Sequence, residues 1–266
     1  GEQGGVLGNT LMRMAEYLEK VNSLKRKVKS AMAYPSVVLV VSILVTMLLL
    51  IFLIPTFASL YESAGIELPA PTKVVMGIAY FLRHRIILLI GGLVGFGIAL
   101  KRVISTEKGK IIWHKFLLRL PIFGGIIAKS SISRFSRTLS IMIKSGVPIL
   151  QALEITSKTS GNKVVERAVL KARQSVGEGK TLSVPLKSSG VFPPMVTHLV
   201  AVGEETGKLS EMLEKLADFY DDEVDSAVSS LSSIIEPIML VFVGAMIGGI
   251  MLAMYLPIFN LASTVK

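Results

Sequence analysis

GEETGKLSEMLEKLADFYDDEVDSAVSSLSSIIEPIMLVFVGAMIGGIMLAMYLPIF, residues 203–259, changes character halfway along. Its first half places Leu209, Met212, Leu213, Leu216, Phe219, Tyr220 and Val224 at three- and four-residue steps, which predicts a helix with one apolar face. Glu211, Glu214, Asp218, Asp221, Asp222 and Asp225 fall on the other side. After Glu236 the charges stop, and the run to Phe259 is long enough to cross a bilayer as a helix, which takes about 20 apolar residues. An amphipathic helix therefore feeds directly into a membrane span.

The same unit occurs twice. Residues 1–57 align with 203–259 without a gap. GEQGGVL falls on GEETGKL, Leu11 on Leu213, Ala15 on Ala217 and Tyr17 on Phe219. Pro35 falls on Pro237, Pro55 on Pro257, and Phe57 on Phe259. The repeating unit is a Gly-Glu turn, an amphipathic helix and a span ending in Pro-x-Phe, and such a repeat sets the architecture. Since the first copy opens in mid-motif, residue 1 is expected to follow a first helical domain that mostly precedes this chain.

The first copy's span is SVVLVVSILVTMLLLIFLI, residues 36–54, free of charge. A third candidate, IILLIGGLVGFGIAL at 86–100, is short for a span. It extends backward through 74–82 if Arg83, His84 and Arg85 sit at an interface or against a partner. The other reading of this run is a buried soluble helix. Gly91, Gly92, Gly95 and Gly97 suit close helix packing in lipid and favour a span.

Lys and Arg set the orientation. Lys20, Lys25, Arg26, Lys27 and Lys29 precede the first span, and Lys101, Arg102, Lys108, Lys110 and Lys115 follow the second. The stretch between them carries Glu62 and Glu67 and no basic residue across 61–71. The expected organisation runs from the end of a first helical domain (1–33) through a span (34–57), an outside loop (58–72) and a second span (73–102). A second cytoplasmic domain (103–235), a third span (236–259) and an outside tail (260–266) complete it. The fold class is all-α: an integral membrane protein with three transmembrane helices and a six-helix antiparallel cytoplasmic bundle, internally repeated.

Composition agrees. The chain is 51% hydrophobic with mean hydropathy +0.62, more apolar than soluble domains at roughly 45–50% with glycine counted. Its net charge of +10 sits beside apolar runs, which fits membrane topology better than nucleic acid as a partner. With no cysteine and three histidines, thiol chemistry is excluded and a His-rich metal site is not available.

Within the cytoplasmic domain, helices are expected from Ser130 to Lys144, closed by Gly146, and from Pro148 to about Lys158. Asn162 caps a third helix reaching Val176. A short element at 181–188 follows, then a helix opened by Pro193 and Pro194, then the helix after Gly207. Basic residues dominate 101–187 and acidic ones 204–225. Either the two sets pair within the domain and face solvent, or the basic face meets anionic lipid or an acidic partner protein.

Gly177-Glu178-Gly179-Lys180-Thr181 mimics the end of a phosphate-binding loop, but the position that needs the first glycine holds Gln174, and the motif follows a helix. Glu204 and Glu205 are a cation site at a subunit contact in one reading, although hard-cation sites usually draw several oxygens from more than one segment. In the other reading Gly203 and Gly207 permit a tight helix connection, and the two acids face solvent or favour the next helix's N-terminus. The spans carry no ionisable group near mid-bilayer, which argues against a transporter. The outside loop is too small for a receptor's sensor. No catalytic constellation and no cofactor or metal site is expected. The structural and interaction candidates are Gly203, Glu204, Gly207 and Leu209 at the turn, and Pro237, Gly244, Gly248 and Pro257 in the last span. Gly244 and Gly248 suit helix packing, within the chain or with a partner's transmembrane helix.

The stretch at 192–240, FPPMVTHLVAVGEETGKLSEMLEKLADFYDDEVDSAVSSLSSIIEPIML, resembles the inner-membrane platform proteins of type IV pili and type II secretion systems. So does FSRTLSIMIKSGVPILQALEIT at 135–156, and AMYLPIFNL at 253–261 is closer to the pilus branch. The resemblance covers essentially the whole chain. It implies two six-helix cytoplasmic domains, three spans, no catalytic residues and a location in the bacterial inner membrane. The implied partners are a hexameric secretion or pilus ATPase, pilin or pseudopilin transmembrane helices, other inner-membrane pilus assembly proteins, membrane lipid and further copies of the chain.

Overall fold

The computed structural model describes residues 6–56, 59, 70–121 and 123–264, and it is helical throughout apart from the turns that join helices. In chain order the helices are α1 (Val6–Leu48), a π-helical turn (Leu49–Leu53), α2 (Ala70–Ser105), α3 (Glu107–Arg119) and α4 (Phe123–Lys144). There follow α5 (Ile149–Thr159), α6 (Lys163–Gly177), α7 (Ser183–Ser188), α8 (Pro194–Glu205) and α9 (Leu209–Thr264). The outside loop expected at 58–72 lies mostly beyond the described residues, and α2 already begins at Ala70. The glycine turn of the first repeat also lies outside them.

The chain divides into two units. One is Gly1–Val28 with Arg102–Leu231 and the other is Lys29–Lys101 with Ser232–Lys266. In the first unit the helix boundaries follow local chemistry. Thr106 stops α2 and caps α3: its hydroxyl donates to the Val103 carbonyl at 2.7 Å and accepts from the Gly109 N–H at 3.1 Å. Gly146, at φ +75°, ends α4, with the Val147 N–H returning to the Met142 carbonyl at 3.0 Å. The Asn162 side chain accepts from the Val164 N–H at 2.8 Å and starts α6. Helix α4 begins at Phe123, earlier than residue 130, because GGII continues its apolar stripe N-terminally.

The core of this unit joins one stripe from each of α4–α9. Phe135 and Leu139 meet Leu153, Val169, Leu186, Val200, Leu213 and Leu216, all fully buried. Phe135 packs against Phe192 with ring centroids 5.0 Å apart. Burying each leucine contributes about 1.5–3 kcal/mol, so this stripe is the main stabilising term. Two residues depart from the expected α9 faces. Phe219 is exposed, and Asp221 is buried. Helix α9 packs on α4 as well as on the core, and that second contact takes in the flank holding Asp221.

In the second unit, Leu50, Ile54, Ala79 and Ile250 form a small buried cluster with Val75, Met76 and Met254 around it. The Thr72 hydroxyl donates to the Ala253 carbonyl at 2.8 Å in a buried position, tying the start of α2 to α9. Outside this cluster Val37, Val40 and Leu44 of α1, Phe52 of the π-helical turn, and Leu240, Val241 and Leu252 of α9 are exposed. Apolar surface on that scale is intolerable in water and ordinary in lipid.

Two helical stretches, Met32–Thr56 and Leu209–Leu256, are long and apolar enough to cross a membrane. The helix expected over 73–102 is present as α2 but is broken at Arg85 (φ −122°, ψ 17°), leaving Thr72–Phe81 as a shorter apolar piece. Three consecutive polar residues, Arg83-His84-Arg85, coincide with that break. Pro35 and Pro237 both lie inside their helices, each removing one backbone donor.

Candidate functional site

Four of the sequence candidates come together where α8 turns into α9. Gly203 is buried in the last turn of α8. A Cβ there would stand 2.8 Å from the Leu209 Cα and 3.3 Å from Met212 Cβ, so only glycine lets the start of α9 approach this closely. Gly207 has φ +70°, a left-handed conformation that glycine adopts without a steric penalty. Lys208 then caps α9, its carbonyl accepting from Glu211 and Met212 at 3.1 Å. Leu209, the first residue of α9, packs on the core edge.

Glu204 neither points to solvent nor serves the following helix. Its carboxylate accepts from the Leu182 N–H and, at 3.0 Å, from the Ser183 N–H. These are the unsatisfied donors at the start of α7, which has no cap of its own. The acid thus clamps the 181–188 element onto the α8–α9 turn, and its negative charge lies at the favourable end of that helix. Glu205 is exposed. Among the described residues there is no group of three His, Cys, Asp or Glu able to hold a metal ion.

The sequence did not single out the polar seam between α4 and α9. Lys129 meets Glu223 at 2.6 Å, Ser133 donates to Asp221, and Lys144 pairs with Glu214. Arg137 sits between Asp218 at 2.6 Å and Asp221 at 2.9 Å. Partner numbers rise on α4 as they fall on α9, so the two helices run antiparallel. Burial works against the Arg137 charge, but the hydrogen bonds it donates to both aspartates outweigh it and raise the guanidinium above its ordinary value. The Ser140 hydroxyl adds a bond to the Ser210 carbonyl at 2.8 Å. The basic half and the acidic half of the domain are thus joined partly by pairing within it. The signal was available: 129, 137 and 144 recur on one helical face, as do 214, 218 and 221.

A second seam pins α3 to α6. The His114 Nδ1 accepts from the Lys163 N–H at 2.9 Å, beside the Asn162 cap. Burial holds the imidazole below its ordinary pKa, with Lys163 adding to the effect, so the ring is neutral and can accept. The Lys163 ammonium meets Glu166 at 2.8 Å and Glu107 at 3.6 Å.

The phosphate-loop mimic is a helix terminus. The Gly179 N–H goes to the Val176 carbonyl and the Lys180 N–H to the Ser175 carbonyl, both at 3.0 Å, so neither is available to a phosphate. The remaining candidates lie in the second unit. Pro237 is inside α9, and a Cβ at Gly244 or Gly248 would meet nothing within 4 Å. Pro257 is also inside α9, with its side chain outside the described residues.

With this geometry established, comparison with known proteins gives a consistent pattern. A family model for type II secretion system (T2SS) protein F matches residues 1–55 and 135–257. A type IV pilus assembly protein PilC of Myxococcus xanthus is 44% identical over all 266 residues, and the chain spans 64% of that relative's length. A type IV pilus assembly protein PilC of Pseudomonas aeruginosa is 41% identical, again over the whole chain, which spans 71% of it. A type II secretion system protein F from the same species is 34% identical over 98% of the chain, which spans 64% of that protein.

Proposed function

The chain belongs to the type II secretion system protein F family, and from that premise we propose that it works as a membrane-embedded, non-enzymatic platform for type IV pilus assembly. In this reading it couples a cytoplasmic hexameric ATPase to the insertion or extraction of pilin subunits. The observation that carries the mechanism is α9. One helix, Leu209–Thr264, bears the ion-paired seam near its start and a membrane-crossing stretch near its end. Force applied to the domain at 103–235 enters α9 through Arg137 and its neighbours and passes along the helix past Pro237 into the span.

Residues 103–235 then face the cytoplasm of a bacterial inner membrane, supported by the Lys and Arg flanking the apolar runs. Helix α2 is the second of three spans, bent at Arg85. The open faces at Gly244 and Gly248 receive a partner's transmembrane helix, and further copies of the chain complete the platform. The higher identity to pilus proteins than to secretion protein F supports the pilus assignment. The equivalent platform of a type II secretion system is the second reading, favoured by the family model itself.

A flexible Gly-Ser insertion at Ser229 is expected to abolish pilus assembly while membrane insertion stays normal. Normal piliation with that insertion would refute the coupling. In-cell photo-crosslinking from Lys187 and Lys171, both exposed, is expected to recover a hexameric ATPase.

A further inference from the structure

Helix α3 carries one face that the folded domain leaves uncovered. Lys108, Ile112, Lys115, Phe116 and Arg119 fall within about 100° of arc at 100° per residue, and all are exposed. Ile112 is 70% and Phe116 51% exposed, large for apolar side chains on a helix whose other face is packed. Phe123, just beyond α3, is exposed too. Among the described residues none of Lys108, Lys115 and Arg119 is ion-paired. Lys101 and Arg102 add two exposed cations immediately upstream.

The opposite face is fixed. His114 is bonded to the start of α6. Gly109 is buried where a Cβ would stand 1.9 Å from the Val103 carbonyl oxygen. That absent side chain lets α3 start with only Thr106 between it and the end of α2. The orientation of the uncovered face is therefore set by the domain.

We propose that α3 is an interfacial helix that lies on the anionic inner leaflet, with Ile112, Phe116 and Phe123 in the acyl boundary and Lys108, Lys115 and Arg119 among the phosphates. The inference rests on the reading that the apolar helices cross a membrane. Apolar and basic side chains side by side, with a single acid at Glu107, are the composition that binds an anionic lipid surface. A protein partner would leave two phenylalanines and an isoleucine bare in the water whenever it dissociated. The bilayer is always present, and α3 follows the α2 apolar run by a few residues. The helix would hold the domain at a fixed height and tilt against the membrane, so that force turns α9 and does not merely drag the domain away.

The test uses the whole chain in vesicles. Because the protein has no cysteine, Ile112→Cys, Phe116→Cys and, as a control on another exposed site, Val184→Cys each take one environment-sensitive fluorophore. In vesicles containing phosphatidylglycerol, acyl-brominated lipid is expected to quench probes at 112 and 116 and to leave 184 unchanged. The triple variant Lys108→Gln, Lys115→Gln, Arg119→Gln is expected to shift the attached-to-detached ratio by about a hundredfold. Each basic residue near such a surface contributes about 1 kcal/mol, or roughly fivefold. Phosphatidylcholine vesicles should show the same loss. Probes at 112 and 116 as unquenched as 184, in chains that float normally with anionic vesicles, would overturn the proposal alone. Quenching that is absent there, but replaced by probe protection on adding cytoplasmic extract, would overturn it in favour of a protein contact. Chains that do not float would sink the membrane reading and this proposal together.

Discussion

Replacing Arg137 with alanine removes the cation that bridges Asp218 and Asp221 in the α4–α9 seam. Arg137 is 15% exposed and Asp221 11%, whereas Asp218 is 60% exposed. Removing one partner of a fully buried pair costs about 3–5 kcal/mol, because the other charge is stranded. Here Ser133 still donates to Asp221, and the Asp218 contact, largely in water, contributes no more than about 1 kcal/mol. The expected loss is therefore about 2–3 kcal/mol. Trp113, the only tryptophan, sits in the same unit and packs near Phe116, so its fluorescence reports unfolding of this unit. With a urea dependence of about 1–3 kcal/mol per molar, the midpoint in detergent should fall by about 1–2 M. Lys129→Ala removes a half-exposed pair and should cost less than about 1 kcal/mol. Adding Asp221→Asn to Arg137→Ala should recover part of the loss by removing a buried charge that no longer faces Arg137. If Arg137→Ala is no worse than Lys129→Ala, and the double variant recovers nothing, the seam is not the stabilising contact described above.

Other outcomes follow from the same geometry. Gly203→Ala sets a Cβ against the Leu209 backbone and should cost about 1–3 kcal/mol by the Trp113 urea assay. Glu204→Ala uncaps α7, and hydrogen exchange should speed up at Leu182 and Ser183, with about 1 kcal/mol lost. His114 has a lowered folded pKa, so the unfolded chain takes up the proton first. Stability from this group is complete above about pH 6.5 and declines as pH falls toward the folded pKa. The urea midpoint should drop across that window in the parent protein and stay flat in His114→Gln.

The helix boundaries were legible because each has a local cause, as at Gly146, Asn162 and Gly207. The repeat exposed the two apolar spans, since its prolines and glycines needed no structure to align. Periodicity failed at Phe219 and Asp221. A one-dimensional pattern assigns α9 a single inner face, whereas the helix has two contacts, and the seam with α4 took one flank out of solvent. Glu204 was recognised as a residue of interest, but its partner lies in an earlier helix, a tertiary pairing that no spacing encodes. The break at Arg85 coincides with the polar triplet already visible in the sequence. The bond from the Lys163 N–H to His114 left no pattern at all.

The π turn at Leu49–Leu53 makes the two copies of the repeat unequal. Their sequences align without a gap, yet the matching stretch of α9 winds as an ordinary α-helix. One wider turn holds an additional residue, which resets the angular phase of everything after it by about 100°. Leu50 and Ile54 are buried, while their counterparts Leu252 and Leu256 are exposed. A duplicated segment has diverged here through a change of winding, with no residue gained or lost. The two spans behave like threads cut with the same pitch and started at different angles. A chimera that grafts residues 251–256 onto 49–54 would carry a homologous sequence but aim its side chains at the wrong neighbours.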